Sequence, residues 1–378
     1  MKTPICERLG CEVPIFAFSH CRDVVVAVTR AGGFGVLGAA TFGAEQLERE
    51  LKWIDDHTDG RPYGVDVVIP TRYDTTAEQQ TGKRDLHELI PDEHQAFMAK
   101  LLDEAGVPEL PDSERQKVHD EIMAGRGAMT PDGARRLIQT ALEHSQVKLI
   151  VSALGAPPPD IVSLLLERGV MLGALCGKPA HAIRQKEAGV QLLIAQGTEA
   201  GGHTGTISTL VLVPEVIDAV NGEIPVLAAG GIARGSQIAA ALALGAEGVW
   251  CGTIWLGTVE SELDPFEKEA LFAAKTEDAV RRKARTGKTV RMLKSKLSEA
   301  WEEPGAPPYL LPPLQGILYN EAHARVVRAK RADLYSFPAG QVVGSMQHET
   351  SVRDVMYSMQ VEYLDAVERL TALQTETA

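Results

Sequence analysis

Residues 225–233 of this 378-residue chain read PVLAAGGIA, and residues 248–253 read GVWCGT. Each stretch is a short apolar run that ends at glycine, which is typical of a buried strand followed by a tight turn. Barrels that bind phosphorylated ligands hold the phosphate after their last two strands, on backbone N–H groups and a helix N-terminus. We therefore expect strands seven and eight of a barrel here, with a phosphate site formed by Gly230, Gly231, Gly252 and Thr253.

Six further apolar runs precede this pair and alternate with helical patterns. The eight expected strands span residues 13–18, 34–37, 63–69, 147–154, 170–175, 191–195, 224–229 and 248–251. Helical patterns occupy residues 22–31, 44–56, 157–168, 178–188, 210–221 and 233–244. Strict alternation of strand and helix is typical of a parallel sheet, and eight units favour an α/β TIM (β/α)8 barrel over an open doubly wound sheet.

Two segments lie outside this repeat. Residues 71–128 are polar, follow strand three and carry helical patterns at 92–105 and 112–124. They predict a helical insertion that is a lid, a dimer contact or a solvated loop. Residues 257–378 predict a C-terminal helical extension, ending in a helix over 352–373, that packs on the barrel of residues 1–256 or on a neighbouring subunit. Both segments are therefore candidates for a homodimer contact.

The composition narrows the class of protein. A net charge of −13 disfavours nucleic-acid binding, because an acidic surface repels phosphate backbones. No apolar run is long enough to cross a membrane, and the first residues lack a signal-peptide pattern. The five cysteines form no Cys-x-x-Cys pair, so we expect neither a metal site nor a disulfide framework. The chain is predicted to be cytoplasmic and to act on a small molecule.

One basic cluster stands out on this acidic chain. Its members are Arg281, Arg282, Lys283, Arg285, Lys288 and Arg291. A charge cluster is most often a solvated surface, although this one is also suited to a phosphorylated substrate carrier.

Two glycine-containing motifs resemble nucleotide-binding motifs, but the residues around them do not match those motifs. Residues 33–38, GFGVLG, match a dinucleotide fingerprint, but a helical pattern precedes them and a strand runs through them. Residues 286–289, TGKT, resemble the end of a P-loop, but Arg282 stands where the first glycine belongs. Neither motif predicts a nucleotide site.

The loop after strand six is the most informative stretch. Residues 195–205 read AQGTEAGGHTG and follow directly on an apolar run, so they lie at the catalytic end of the expected barrel. Gln196 offers amide donors and an acceptor, and His203 can move a proton near neutral pH. We predict His203 to be catalytic.

With these residues the chain resembles the nitronate monooxygenase (2-nitropropane dioxygenase-like) family of flavin mononucleotide (FMN) barrels, which is related to flavin-dependent enoyl-thioester reductases. The most specific match is the stretch from Gln196 to Gly205. Supporting matches begin at Pro14 and lie at residues 31–38, 63–66, 228–232, 245–253 and 339–341.

The resemblance implies a non-covalent FMN and assigns roles to particular residues. It implies that the FMN phosphate lies on Gly230, Gly231, Gly252 and Thr253. It implies that the isoalloxazine lies near Ala17, Phe18, Asp66 and Gln196, with the backbone of Gly201 and Gly202 close by. His203 would hold an alkyl nitronate, which O2 helps to convert to a carbonyl compound and nitrite.

Two residues depart from the family pattern. His20 stands where methionine is common, which suggests a second substrate contact. Asp66 replaces an asparagine beside the ring. The hypothesis that follows is that a negative charge at Asp66 lowers the flavin reduction potential and repels an anionic nitronate.

Two alternatives stay open at this point. An NAD(P)H-dependent FMN reductase of enoyl-CoA or enoyl-carrier substrates would also use a histidine in this loop. A non-catalytic flavin-binding barrel is the other alternative, although a passive phosphate site would need neither Gln196 nor His203.

Overall fold

A computed structural model describes residues 1–69 and 86–375 of the chain. Eight parallel strands form a closed barrel in which each strand pairs with the next, and Ile15 of the first strand pairs with Val249 of the last. The strands are β1 (Ile15–Ser19), β2 (Phe34–Gly38), β3 (Tyr63–Val67), β4 (Val147–Ser152), β5 (Met171–Cys176), β6 (Leu192–Gln196), β7 (Val226–Ala229) and β8 (Gly248–Cys251). The predicted TIM barrel is confirmed.

Helices surround the barrel between successive strands. They are α2 (Arg22–Arg30), α3 (Ala44–His57), α6 (Pro131–Leu142), α7 (Pro159–Glu167), α8 (Pro179–Glu187), α9 (Thr209–Ala219) and α10 (Gly235–Ala243). Helix α6 was not predicted. It begins with Thr130, whose hydroxyl accepts a hydrogen bond from the Gly133 N–H at 3.0 Å, followed by Pro131 in the first turn, and both are start signals for a helix.

Alternating side chains divide the barrel into an interior and an outer layer. Phe16, Val36 and Trp250 pack inside the barrel, whereas Ile15 and Val65 pack against the surrounding helices. A short helix, α1 (Pro4–Leu9), adds its apolar side chains to the interior cluster at the N-terminal ends of the strands. Helix α1 therefore closes the barrel at the N-terminal ends of the strands. A ligand is expected to enter at the C-terminal ends instead.

The described part of the insertion joins the extension in a second hydrophobic core. A 3-10 turn (Leu86–Leu89) and two helices, α4 (Asp92–Glu104) and α5 (Asp112–Ala128), agree with the predicted helical patterns, and residues 71–85 lie outside the described residues. Met98 and Leu102 of α4 pack in one buried cluster with Trp301 and Tyr319 of the extension. The two polar segments thus form one layer beside the barrel.

The extension contains a β-hairpin as well as helices. Its elements are α11 (Pro265–Ala273), the antiparallel strands β9 (Ala279–Arg282) and β10 (Val290–Leu293), α12 (Lys296–Ala300), α13 (Leu314–Arg328) and α14 (Val352–Thr375). Helix α14 agrees with the predicted last helix. It crosses α10 so closely that a Cβ on Gly235 would collide with the carbonyl oxygen of Met359.

Two kinds of feature are absent from residues 1–69 and 86–375. No helix there is long and apolar enough to cross a membrane. No group of three or more metal-binding side chains comes together in the same residues.

Candidate functional site

The C-terminal ends of the strands, called the mouth below, bring several predicted site residues together. Phe18, Asp66 and Gln196 follow the inward-facing positions of β1, β3 and β6. Phe18 stacks on Trp250 with ring centroids 6.0 Å apart, which gives the mouth an aromatic floor. Ala17 differs, because its side chain belongs to the outer cluster and only its backbone is available to a ligand in the mouth.

His20 also lies at this mouth, held by strand β2. Its Nδ1 is 2.8 Å from the Gly38 carbonyl oxygen, and its ring packs edge-on against Phe18 at 5.2 Å. A Cβ on Gly38 would lie 2.8 Å from the His20 ring, so the glycine makes room for it. A carbonyl only accepts, so Nδ1 carries the proton and Nε2 is left as a hydrogen-bond acceptor.

Asp66 is 3% exposed, and burial raises the pKa of its carboxyl well above the ordinary value. No cation contributes to that shift. Burial therefore favours the protonated, neutral form of this group, since moving an unpaired carboxylate out of water is costly. Burial thus works against the negative charge that we expected beside the flavin ring.

The glycine-rich loop after β6 is fixed at both ends. The carboxylate of Glu199 accepts hydrogen bonds from the backbone N–H and hydroxyl of Thr209, at 3.0 and 2.8 Å, and so caps the first turn of α9. At Gly201 a Cβ would lie 2.9 Å from the Gly340 nitrogen, which explains the glycine by close packing. The Gly202 backbone exchanges two hydrogen bonds with Arg291 of β10, at 3.0 and 2.8 Å.

His203 projects from this loop toward the β9–β10 hairpin. Its Nδ1 lies 3.1 Å from the carbonyl oxygen of Thr289, so Nδ1 again carries the proton and Nε2 is the acceptor. Burial lowers the pKa of His203, and the nearby cations Lys288 and Arg285 lower it further, although the bond to Thr289 opposes them. His203 is therefore neutral at pH 7 and presents a basic nitrogen.

The loops after β7 and β8 form a glycine-rich turn, called the cradle below, that leaves hydrogen-bond donors free. Gly230 and Gly231 have φ of +100° and +72°, which disfavour side chains. The backbone N–H groups of Gly231 and Ile232 have no hydrogen-bond partner among the described residues. The Thr253 hydroxyl accepts a 2.8 Å hydrogen bond from the Gly340 N–H, so its own proton is available to a ligand.

The helix that follows this cradle differs from the expectation. A helix N-terminus commonly contributes to such a phosphate site, but several N–H groups at the start of α10 are already used. The Gly235 N–H donates to the Glu362 carboxylate at 2.8 Å, and the Ala233 and Arg234 N–H groups donate to Gln237 Oε1. The hydrogen-bond donors left free around this turn include the N–H groups of Gly231 and Ile232 and the hydroxyl of Thr253.

The sequence did not predict where the basic cluster lies. Arg291 is 7% exposed, and its Nε donates to the Thr198 carbonyl at 2.7 Å, while Arg281 reaches the Thr204 carbonyl at 3.4 Å. Interpretation of the cluster as a solvated surface is therefore wrong for Arg291. The β9–β10 hairpin therefore binds the glycine-rich loop after β6. The one signal of this contact in the sequence was the high density of glycines in that loop, which allows another segment to approach its backbone closely.

Comparison with known proteins decides the family. A model of the family described as "Nitronate monooxygenase" matches residues 17–362, most of the barrel and extension. The chain belongs to the nitronate monooxygenase family. Among its relatives, a Mycobacterium tuberculosis protein named "Putative monooxygenase" is 47% identical over 99% of both chains. A "Probable nitronate monooxygenase" of Staphylococcus aureus is 30% identical over 79% of this chain and 80% of that one.

Solved structures agree with this assignment. Nitroalkane oxidase from Streptomyces ansochromogenes superposes with a TM-score of 0.78 at 28% identity, over 97% of this chain and 99% of the other. FabK from Thermotoga maritima gives a TM-score of 0.70 at 24% identity over 99% of both chains, which shows the shared fold alone. The predicted resemblance is confirmed, and this nitronate monooxygenase family member is an oxidoreductase of a flavoprotein family.

Proposed function

We propose that this protein is an FMN-dependent nitronate monooxygenase, which converts alkyl nitronates and O2 to a carbonyl compound and nitrite. The observation that carries the proposal is His203, whose Nδ1 is bound to the Thr289 carbonyl so that a neutral, basic Nε2 remains for the substrate. The surrounding hairpin supplies cations suited to an anionic nitronate.

FMN fits the residues at the mouth. The unpartnered N–H groups of Gly231 and Ile232 and the free proton of Thr253 are donors that a phosphate monoester would accept. Gly230 and Gly252 complete this phosphate site. Phe18, the Ala17 backbone, Asp66, Gln196 and the Gly201–Gly202 backbone would border the ring. When bound, the FMN would supply the one-electron oxidation of the nitronate.

The protein's own groups act on the substrate side. Nε2 of His203 would act as general base when a neutral nitroalkane carrying an acidic C–H is offered. It would hold an anionic nitronate only after taking up a proton, because an unprotonated Nε2 and the nitronate oxygens are both hydrogen-bond acceptors. His20, with its Nε2 also left as an acceptor, would be a second substrate contact. The neutral carboxyl of Asp66 would donate a hydrogen bond rather than repel an anion.

A reductase of enoyl thioesters is the second candidate. The observation that favours it is the contact between His203 and the basic hairpin, because CoA and carrier-linked substrates bring phosphates to the mouth. Both functions can be tested on one holoenzyme preparation. We expect aerobic alkyl nitronate to yield nitrite with consumption of O2, and NAD(P)H with an enoyl-CoA to yield no reduction. The reverse pattern would overturn the proposal and favour the reductase.

Replacing Asp66 by asparagine tests the protonation state. We expect D66N to change the flavin midpoint potential at pH 7 by less than about 30 mV, or about 1.4 kcal/mol for a two-electron couple, because one neutral group replaces another. The potential can be measured by dye-coupled reduction, with the exposed Asp56→Asn as control. A much larger rise in D66N alone would mean that Asp66 is ionised in the holoenzyme.

A further inference from the structure

The glycine-rich loop after β6 pairs with strand β10 through its backbone. The Gly202 N–H donates to the Arg291 carbonyl at 3.0 Å, and the Arg291 N–H donates to the Gly202 carbonyl at 2.8 Å, which forms an antiparallel bridge. Two residues before Arg291, the Thr289 carbonyl oxygen lies 3.1 Å from Nδ1 of His203. Two adjacent residues of the loop, Gly202 and His203, are therefore bound to one short stretch of the hairpin.

The side chain of Arg291 adds a second attachment at the start of the loop. Its Nε donates to the Thr198 carbonyl at 2.7 Å, and its Nη1 donates to the Ala279 carbonyl of β9. A guanidinium is planar and donates in several directions at once, so this one connects the loop with both strands of the hairpin. The loop is thus held at Thr198 by the side chain and at Gly202 by the backbone of the same residue.

The charge of Arg291 is unusual for a residue that only packs in a core. Arg291 is 7% exposed, and no carboxylate in the described part of the chain forms an ion pair with it, whereas Nε of Arg282 lies 3.7 Å from Glu302. Burial lowers the pKa of Arg291, and the charge of Arg281 lowers it further, against the smaller effect of Glu199. An apolar side chain would avoid this desolvation but could bind neither carbonyl. The contacts therefore favour a role in fixing the loop.

We infer that Arg291 is a positioning residue that sets the tautomer and the orientation of His203. The inference rests on the proposed function for the task of His203, which is proton abstraction from a neutral nitroalkane. In a neutral imidazole one nitrogen carries the proton and the other accepts. The Thr289 carbonyl selects the tautomer with the proton on Nδ1, which leaves Nε2 free to act as the base. Arg291 keeps the loop in register with Thr289 and so maintains the hydrogen bond that makes this selection.

The tautomer of His203 can be measured without turnover. The histidines are labelled with nitrogen-15, and long-range nitrogen–proton NMR spectra of the flavin-loaded protein are recorded at a pH where the imidazoles are neutral. H203N assigns the signals of His203. Wild type should show the proton on Nδ1. R291M removes both side-chain hydrogen bonds, so it should lose this single tautomer and show a mixture of the two.

Arg282 provides the matched control, because it lies on the same hairpin and pairs with Glu302 instead of the loop. R282M should keep the wild-type tautomer of His203. R291K keeps the charge and can still donate to one carbonyl, so its spectrum should lie between those of wild type and R291M.

The same variants are then compared in turnover of a neutral nitroalkane. Because a misplacement of about 1 Å can cost about 10²-fold in rate, we expect kcat of R291M to fall about ten- to a hundredfold. Its KM should stay within about twofold, since the base acts in the transition state. R291K should regain part of the lost kcat, and R282M should remain within about twofold of wild type.

Two results separate failure of this inference from failure of the proposed function. If R291M does not fold, R291K is the deciding variant, and its kcat should be at least about threefold below wild type. A folded Arg291 variant that keeps the wild-type tautomer of His203 overturns the inference. Absence of nitronate oxidation by the wild type overturns the proposed function instead, and the NMR spectra still test Arg291.

Discussion

Replacing His203 by asparagine is expected to lower kcat/KM for neutral nitroalkanes by about 10²- to 10⁴-fold, the usual contribution of a positioned acid–base group. The asparagine amide can still donate to the Thr289 carbonyl as Nδ1 does now, so the glycine-rich loop should keep its shape. What the variant loses is the basic Nε2. Steady-state nitrite release, with flavin content measured on the same sample, checks this.

His57 provides the control for that experiment. Its Nδ1 also lies near a backbone carbonyl, that of Trp53 at 2.7 Å, but it is exposed at the end of α3 on the outer helical layer. His57→Asn should leave both flavin content and turnover within about twofold, as for other surface substitutions. If H203N retained flavin and nitroalkane turnover at a similar level, His203 would not be catalytic.

The second large effect is expected at the phosphate cradle. Gly231→Ala introduces a side chain at φ of +72°, where the new Cβ would lie 3.1 Å from Cβ of Glu199. Movement of this turn would displace the unpartnered N–H groups of Gly231 and Ile232. Since hydrogen bonds to a charged phosphate contribute about 1.5–3 kcal/mol each, we expect FMN affinity to fall about ten- to a hundredfold.

A glycine of similar conformation separates this effect from general strain. Gly169 has φ of +66°, and a Cβ added to it would meet no atom within 4 Å. It lies in the turn before β5, at the opposite end of the barrel. G169A and G231A should both lose about 1–2 kcal/mol of stability from the left-handed conformation. Only G231A should lose FMN affinity, measured by flavin fluorescence. Equal FMN affinity in both variants would show that the FMN phosphate does not bind at this cradle.

Local patterns predicted the barrel because each strand carries its own signal. Residues 248–251 form a strand with the predicted bounds, since glycines stand at or next to both ends of a short apolar run. The predicted strand at 147–154 extends two residues too far, because Ala153 and Leu154 are apolar without being paired in β4. The alternation of strands and helices along the chain was enough to predict the order of the strands in the barrel, because each strand of such a barrel pairs with the next strand in the sequence.

The site was predictable only where its residues follow strands directly. Gln196 and His203 stand out in the sequence because a glycine-rich loop comes immediately after β6. The hairpin that holds this loop could not be predicted in the same way, because Gly202 and Arg291 are 89 positions apart and their pairing is set by the tertiary fold. The state of Asp66 likewise depends on burial inside the barrel, which no local pattern gives.

The capping of α10 illustrates the same limit. The sequence places a strand, then Gly230 and Gly231, then a helical pattern, and such an order predicts a helix whose first N–H groups are free. Gly235 is the first residue of that helix. Only the structure shows that Glu362, 127 residues later on α14, takes its N–H. Which N–H groups are free at the proposed phosphate site was therefore only partly predictable from the sequence.

The most direct test of the central claim is anaerobic bleaching of the purified protein's flavin absorbance. A small alkyl nitronate and NAD(P)H are offered separately to the FMN-loaded protein, and the spectrum is followed without O2. Our account predicts that the nitronate bleaches the flavin and that NAD(P)H does not. Bleaching by NAD(P)H alone, or a protein that neither carries nor takes up FMN, would contradict it.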